Sequence, residues 1–396
     1  MSAMEPPGFG NPNLFQALFQ IFSDPERLQW DLAAELARQI ASEGESPPNV
    51  DPVVRMRVEE LYRVAEMRIA TATSLDTTVG GRLVAPECVT ASVWATTTLS
   101  DWRPLLTTIA KSHARPLAFS DEGVPNETPP ALAQVFGQAA QALGPAMVGM
   151  QLGSSIGYLA RRAFGESDLP IPRPAPQRVL FVPHNMESFS QDWSLPFDEV
   201  CLWVCLREVA HHCILSIPHV SQRLNELLEE YARSFAPDPV SMDQRLASLD
   251  LSTVSTFEEL QEAFGDPAEI LSSMVTPHQR VVADEMAAIV GALEGWVDSV
   301  MDDVGNSLVA SYGPLTEALR RRRIERDANE RYVDVLFGIA MDQECFARGN
   351  AFVEGVVARA GRQALSKLWI SKDHLPTPAE MEAPGLWLER ISYISS

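Results

Sequence analysis

Met286, Ile289, Leu293, Val297 and Val300 stand three or four residues apart among polar and small neighbours, which predicts a long amphipathic helix beginning at Val281. The same kind of pattern predicts helices over Trp30–Ser42 and Val53–Thr73, parted by Gly44-Glu45-Ser46-Pro47-Pro48. Shorter helices are expected over Leu14–Phe22, after Thr90, over Ser221–Phe235 and over Thr256–Phe264. Two packed helices should run from Tyr332 through Ala364 to Trp369, and Pro376-Thr377-Pro378 should introduce a final helical turn. The run Val200–Leu206 is apolar on nearly every side, as a helix buried on all faces requires. Only Arg178–Val182, short and β-branched, reads clearly as a strand. The expected fold class is therefore mainly α (α+β), with few strands.

No charged residue occurs between Pro130 and Ala160, a stretch in which Pro129 opens a helix and Gly149, Gly153 and Gly157 recur at every fourth position. That spacing lays a smooth stripe on one helix face, against which another helix can approach closely; the neighbouring Met147, Met150, Leu152 and Ile156 fit packing better than a flexible loop. The Gln, Ser, Gly and Pro content makes the stretch too polar to expect insertion in a membrane. The densest break is Pro170-Ile171-Pro172-Arg173-Pro174-Ala175-Pro176, which cannot be helix or central strand. It divides the chain into a Pro/Gly-rich tail (1–24), an N-terminal helical region (25–169), the proline-rich connection (170–177) and a region with C-terminal helices (178–396).

At 396 residues the chain is long enough to enclose a site, and its net charge of -22 disfavours nucleic acid and anionic membranes as partners. The one basic run, Arg320–Arg323, is followed at once by Ile324-Glu325-Arg326-Asp327 and has no aromatic platform, so a solvated helix face or a connection is expected there. Five scattered cysteines give no disulfide framework, and the start lacks a basic and apolar leader, which together predict a cytoplasmic protein. No phosphate loop, dinucleotide fingerprint or serine-nucleophile elbow is present, and no feature sets an oligomeric state.

The candidate chemistry lies in Leu206-Arg207-Glu208-Val209-Ala210-His211-His212. In the zinc-peptidase motif H-E-x-x-H, two histidines four apart ligate the metal from one helix face while the glutamate acts on its bound water. Here Arg207 stands at the first histidine position, and a guanidinium, which has only donors and stays protonated, cannot ligate a cation. Glu294 and Asp298, four apart on the long helix, suit a third ligand and an outer carboxylate that orients a histidine. The plainer readings are a solvated intrahelical pair and an ordinary acidic helix face. His212 points about 100° away from His211 and is a poor replacement ligand. Cys201, Cys205 and Cys213 read as small core residues, and His184 and His219, each beside a proline, as loop residues.

The chain resembles a largely actinobacterial family of zincin-like hydrolases, some of whose members are labelled as associated with deazaflavin-cofactor biosynthesis. The resemblance rests on Trp30-Asp31-Leu32-Ala33, the Gly-Met-Gln-Leu-Gly segment from Gly149, Asp198-Glu199-Val200, Glu294-Gly295, Val300-Met301-Asp302 and Trp387-Leu388, in that order. It implies a zincin-like metallopeptidase fold in which Glu208 matches the general base, His211 the second histidine ligand, Glu294 the third ligand and Asp298 the outer carboxylate. Arg207 departs from that pattern and leaves two protein ligands, one fewer than a catalytic zinc normally keeps. The expectation is that the Arg207 guanidinium takes the place of the metal and forks onto Glu294 or Asp298. The chain would then be a metal-free pseudoenzyme, without a cofactor, keeping a cleft for a peptide or protein partner. Two alternatives stand beside it: an active zinc-dependent peptidase or hydrolase using His211, Glu294 and a further ligand, and a purely structural helical scaffold.

Overall fold

The computed structural model describes residues 25–44, 49–79, 81–114, 149–174, 178–235, 271–272, 275–324 and 328–394. The expected tail 1–24, the helices at Leu14–Phe22 and Thr256–Phe264 and the opening of the uncharged stretch lie outside them. In chain order the first elements are α1 (Pro25–Ala41), α2 (Pro52–Thr73), β1 (Thr78–Val79), β2 (Arg82–Leu83), β3 (Ala85–Cys88), α3 (Ala91–Asp101) and α4 (Arg103–Ala114). A helical run over 149–160, α5, follows. Then come β4 (Arg178–Phe181), α6 (Pro183–Asp192), α7 (Phe197–Leu215), α8 (Pro218–Arg233), α9 (Pro277–Leu308), α10 (Tyr312–Ile324), α11 (Ala328–Phe337) and α12 (Gln343–Ala360). Two 3-10 segments (Arg362–Trp369 and Lys372–His374), α13 (Pro378–Glu382) and α14 (Pro384–Ile394) end the described chain. The fold is mainly helical, as the sequence pattern requires.

Local chemistry sets where the helices start. Asp51 accepts from the Val53 N–H ahead of Pro52, Thr90 from Val93, and Thr276 with Gln279 forms a reciprocal capping box. That box starts α9 four residues before the expected Val281, because Pro277, His278 and Gln279 carry no apolar signal yet Pro suits the first helical position. The region from Tyr332 to Trp369 holds two helices, α11 and α12, as expected, and ends in a 3-10 segment.

α7 and α9 form the centre. α2 packs along α7, α8 lies against α9, and α12 lies along α9. At that last contact Gly291 and Gly295 face Gly349 so closely that a Cβ on Gly349 would strike the Gly291 carbonyl. The glycine stripe of α5 is used in the same way: Gly153 sits on the backbone of Ala33, and Gly157 on Ala37 and Ile40, all in α1. β3 pairs with β4 in parallel, from Ala85 opposite Arg178 to Cys88 opposite Phe181, and β1 with β2 in an antiparallel pair. Elements on both sides of the proline-rich connection share one hydrophobic cluster, from Trp30 to Ile391. Among the described residues no single helix is long and apolar enough to cross a membrane; α7 and α8 reach that length and composition only as a pair, bent by 84° at their junction, with α7 buried in this core and α8 amphipathic.

The arginine run meets the expected solvated helix face at Arg320 and Arg321, which are exposed, but not at Arg322. It forms the C-terminal end of α10, where cations suit the helix dipole. Arg322 is half-buried, with its guanidinium 3.7 Å from the centre of the Phe164 ring.

Candidate functional site

Every residue of α7 from Trp203 to Ile214 is buried, because the helix is enclosed on all sides by α2, α6, α8 and α9. A charged group on such a helix needs a partner from a neighbouring one, and α9 supplies it. The Arg207 guanidinium places Nη2 2.6 Å from Oε2 of Glu294 and Nη1 3.5 Å from Oδ1 of Asp298. The second contact is at the outer limit of a hydrogen bond, so Glu294 is the main partner and Asp298 a weaker one. Trp203, one turn earlier on α7, covers the guanidinium, with its ring centre 5.8 Å from Cζ. Burial works against the arginine's charge, but the Glu294 and Asp298 carboxylates outweigh it and hold the group more firmly protonated than usual.

One turn after Arg207, His211 is fully buried, with Nε2 2.8 Å from Oε1 of Glu294 and Nδ1 2.9 Å from the Arg207 carbonyl oxygen. A carbonyl oxygen only accepts, so Nδ1 carries a hydrogen and donates it there. Nε2 then faces a carboxylate oxygen, and one proton must lie between them. Arg207, His211, Glu294 and Asp298 thus form one cluster. The four residues are brought together by two helices alone.

Glu208 is not part of that cluster. Its side chain leaves α7 in another direction and accepts from the Glu166 N–H at 3.1 Å, the Ser167 N–H at 3.1 Å and the Ser167 hydroxyl at 2.9 Å. The turn that offers these donors comes close because residue 165 is glycine; a Cβ there would run into the Glu208 carboxylate. Trp94 holds the turn by donating from Nε1 to the Gly165 carbonyl at 2.8 Å. Burial, and next the Asp168 carboxylate, push the Glu208 carboxyl up to about 8 against the pull of Ser167.

The other candidates are dispersed. His212 is buried beside the Ser216 hydroxyl at 3.2 Å, and burial lowers it to about 4, so it is neutral near neutral pH. Cys205 is fully enclosed and its thiol is pushed up by burial. His184 is exposed, and His219 is half-buried at the start of α8. Sequence reasoning missed Trp203 as the cover of Arg207, although its four-residue spacing pointed to the same helix face. It also missed Gly165, Ser167 and Asp168, which no local pattern marks.

Two hollows open beside the cluster. The smaller, about 120 Å³, is lined by Arg207 and Asp168; the larger, about 660 Å³, by Asp298 and Asp302; Trp203, Leu319 and Phe346 border both.

A zinc ion does not fit this donor set. Position 207 offers only hydrogen-bond donors, both Glu294 oxygens and the His211 Nε2 are already engaged with protein groups, and among the described residues no three His, Cys, Asp or Glu side chains converge on one point.

The fold has a counterpart among solved structures. A crystal structure from Chloroflexus aurantiacus, described as a "putative hydrolase with a novel fold", superposes with a TM-score of 0.60 at 20% identity, covering 92% of this chain and 98% of that one. At that identity the likeness is one of fold. No curated protein matches this sequence. The family model described as zincin-like metallopeptidase matches residues 28–388, nearly the whole chain, so the protein belongs to the zincin-like metallopeptidase family.

Proposed function

We propose that this protein is a metal-free member of its family, in which the Arg207 guanidinium stands where a metal ion would sit, and that it works by binding a peptide or protein segment in the adjoining cleft. The observation that carries this reading is the engagement of both oxygens of Glu294, one by Arg207 at 2.6 Å and one by His211 at 2.8 Å. Each oxygen of that carboxylate is thereby committed to a protein group. Glu208 adds support: a general base must reach the water it deprotonates, and its carboxylate is tied to Glu166 and Ser167 instead. The chamber beside Asp298 favours a binding role over a purely structural one, since about 660 Å³ is the size of a ligand cleft.

The test is elemental analysis of protein purified without chelator, with zinc titration and a quenched-fluorescence peptide assay on the same sample. The expected result is far less than one equivalent of zinc, no saturable zinc binding and no hydrolysis. Stoichiometric zinc that disappears on His211→Ala substitution would overturn the reading.

A further inference from the structure

The smaller hollow is bounded by the rings of Trp94, Phe164, Trp203 and Phe346 and by the thioether of Met341, all buried side chains that α3, α7, α12 and the segments after α5 and α11 bring to one point. Two guanidinium groups stand against those rings, Arg207 at 5.8 Å from the Trp203 centre and Arg322 at 3.7 Å from the Phe164 centre. Their charge is met within the wall. Arg207 is held by Glu294 at 2.6 Å, Arg162 by Glu330 at 2.8 Å, Arg322 donates to the Arg162 carbonyl oxygen, and Asp168 accepts from the Phe164 N–H. The charged groups hold one another or the backbone and do not select an ion.

We infer that this hollow is a binding site for a single uncharged aromatic ring, the ring of a free phenol or of a tyrosine side chain. The inference goes beyond the peptide-binding reading and does not rest on it. Size is the first argument. The hollow's volume of about 120 Å³ is close to the roughly 150 Å³ of an apolar cavity that takes up benzene, so one ring fits. The chemistry of the wall is the second. A saturated ring of the same volume would gain only dispersion there, whereas an aromatic ring presents its positive edge to the faces of the surrounding rings, its face to a guanidinium and its edge to the Met341 sulfur. A hydroxyl on the ring adds a contact, because a guanidinium has more N–H donors than Glu294 and Asp298 engage on Arg207. The way in lies past Asp168, which is exposed, and Leu159, which is half-buried.

The experiment is isothermal titration of the full-length protein with phenol, beside cyclohexanol, which keeps the ring size and the hydroxyl but has no π-system, and benzoate, which carries a charge. Phenol should bind at one equivalent, about tenfold or more tightly than either control. Val333→Phe sets a ring into the hollow from α11 and should abolish phenol binding in a protein that still melts cooperatively. Leu159→Trp, at the half-buried edge, closes the same space and keeps the test decisive if Val333→Phe fails to fold. The capped tripeptide acetyl-Gly-Tyr-Gly-amide separates the two sources of the ring: tighter binding than phenol assigns the hollow to a protein side chain, weaker binding to a free small molecule. Phenol and cyclohexanol binding alike, phenol binding that survives both substitutions, or no binding up to about 10 mM would each overturn the inference. Zinc content and peptide hydrolysis are untouched by any of these outcomes, so the proposed function stands or falls separately.

Discussion

Replacing Arg207 by alanine removes the cation from a cluster whose central carboxylate, Glu294, is fully buried. At the observed 2.6 Å and an effective dielectric of about 20, the gross attraction between the pair is about 6 kcal/mol. Part of that attraction only offsets the cost of taking both groups out of water. Deleting one partner while leaving the other buried therefore costs about 3–5 kcal/mol, and the loss of the contact with Trp203 adds to it. The measurement is urea unfolding followed by tryptophan fluorescence, compared at matched slope. Because the pair is enclosed, the loss should change little between low and high salt, unlike that of a surface ion pair. The double variant Arg207→Ala/Glu294→Gln should recover about 1–3 kcal/mol relative to the single one, since the neutral amide no longer requires a cation. Arg207→Ala within about 0.5 kcal/mol of the parent, with no recovery in the double variant, would refute the claim that this arginine neutralises buried charge.

Three further outcomes follow from the geometry. Arg207→His should bind one equivalent of zinc, read by elemental analysis after dialysis; a folded variant that stays zinc-free would mean that His211 and Glu294 do not address a common point. Glu208 sits with its carboxyl raised to about 8, so its contribution to stability is full below the unfolded value of 4.5 and is lost as pH rises through 8. Between those limits the parent should lose stability relative to Glu208→Gln by a few kcal/mol, at about 1.4 kcal/mol for each pH unit between the two values, and parallel pH profiles would contradict it. Gly349→Ala sets a Cβ against the Gly291 backbone carbonyl, which cannot rotate aside; a loss of about 1–3 kcal/mol in thermal unfolding is expected, and an unchanged melting temperature would show that α9 and α12 pack less closely than described.

What the sequence disclosed tracks how local each signal is. The enclosed helix α7 was legible because apolar residues on every side leave no solvent face, and the 149–160 stripe because glycine at every fourth position serves close packing. β4 was legible for its β-branched run. Its partner β3 was not: Ala85-Pro86-Glu87-Cys88 has neither alternation nor β-branching, and it is a strand because it pairs along β4 from Arg178 to Phe181. The same contrast holds at the site. Arg207, His211, Glu294 and Asp298 share helix faces and could be grouped from spacing, whereas the place of Glu208 depends on a turn some forty residues upstream. Only the folded chain shows that Gly165 lets Ser167 reach it. Arg322 was misplaced for a related reason, since a run of four arginines reads as solvated until Phe164 is seen beneath one of them.

A buried ion-pair network is a poor means of adding stability, because desolvation cancels most of the attraction and apolar residues of the same volume serve a core as well or better. A helical scaffold would therefore gain nothing from Arg207, Glu294 and Asp298 at the junction of its two central helices. Their position suggests another use. Arg207 lines one hollow and Asp298 the next, so the pair meets the cleft as a positive group beside a negative one. A zinc ion at the same point would present positive charge to both sides and concentrate it on a single bound water, which is what hydrolysis needs. The ion pair spreads the charge into a fixed dipole of no net charge, which can orient a ligand of matching polarity but cannot acidify water. On the reading proposed above, a guanidinium in place of a ligand at position 207 would do more than disable a metal site: it would turn a centre suited to bond cleavage into one suited to recognition.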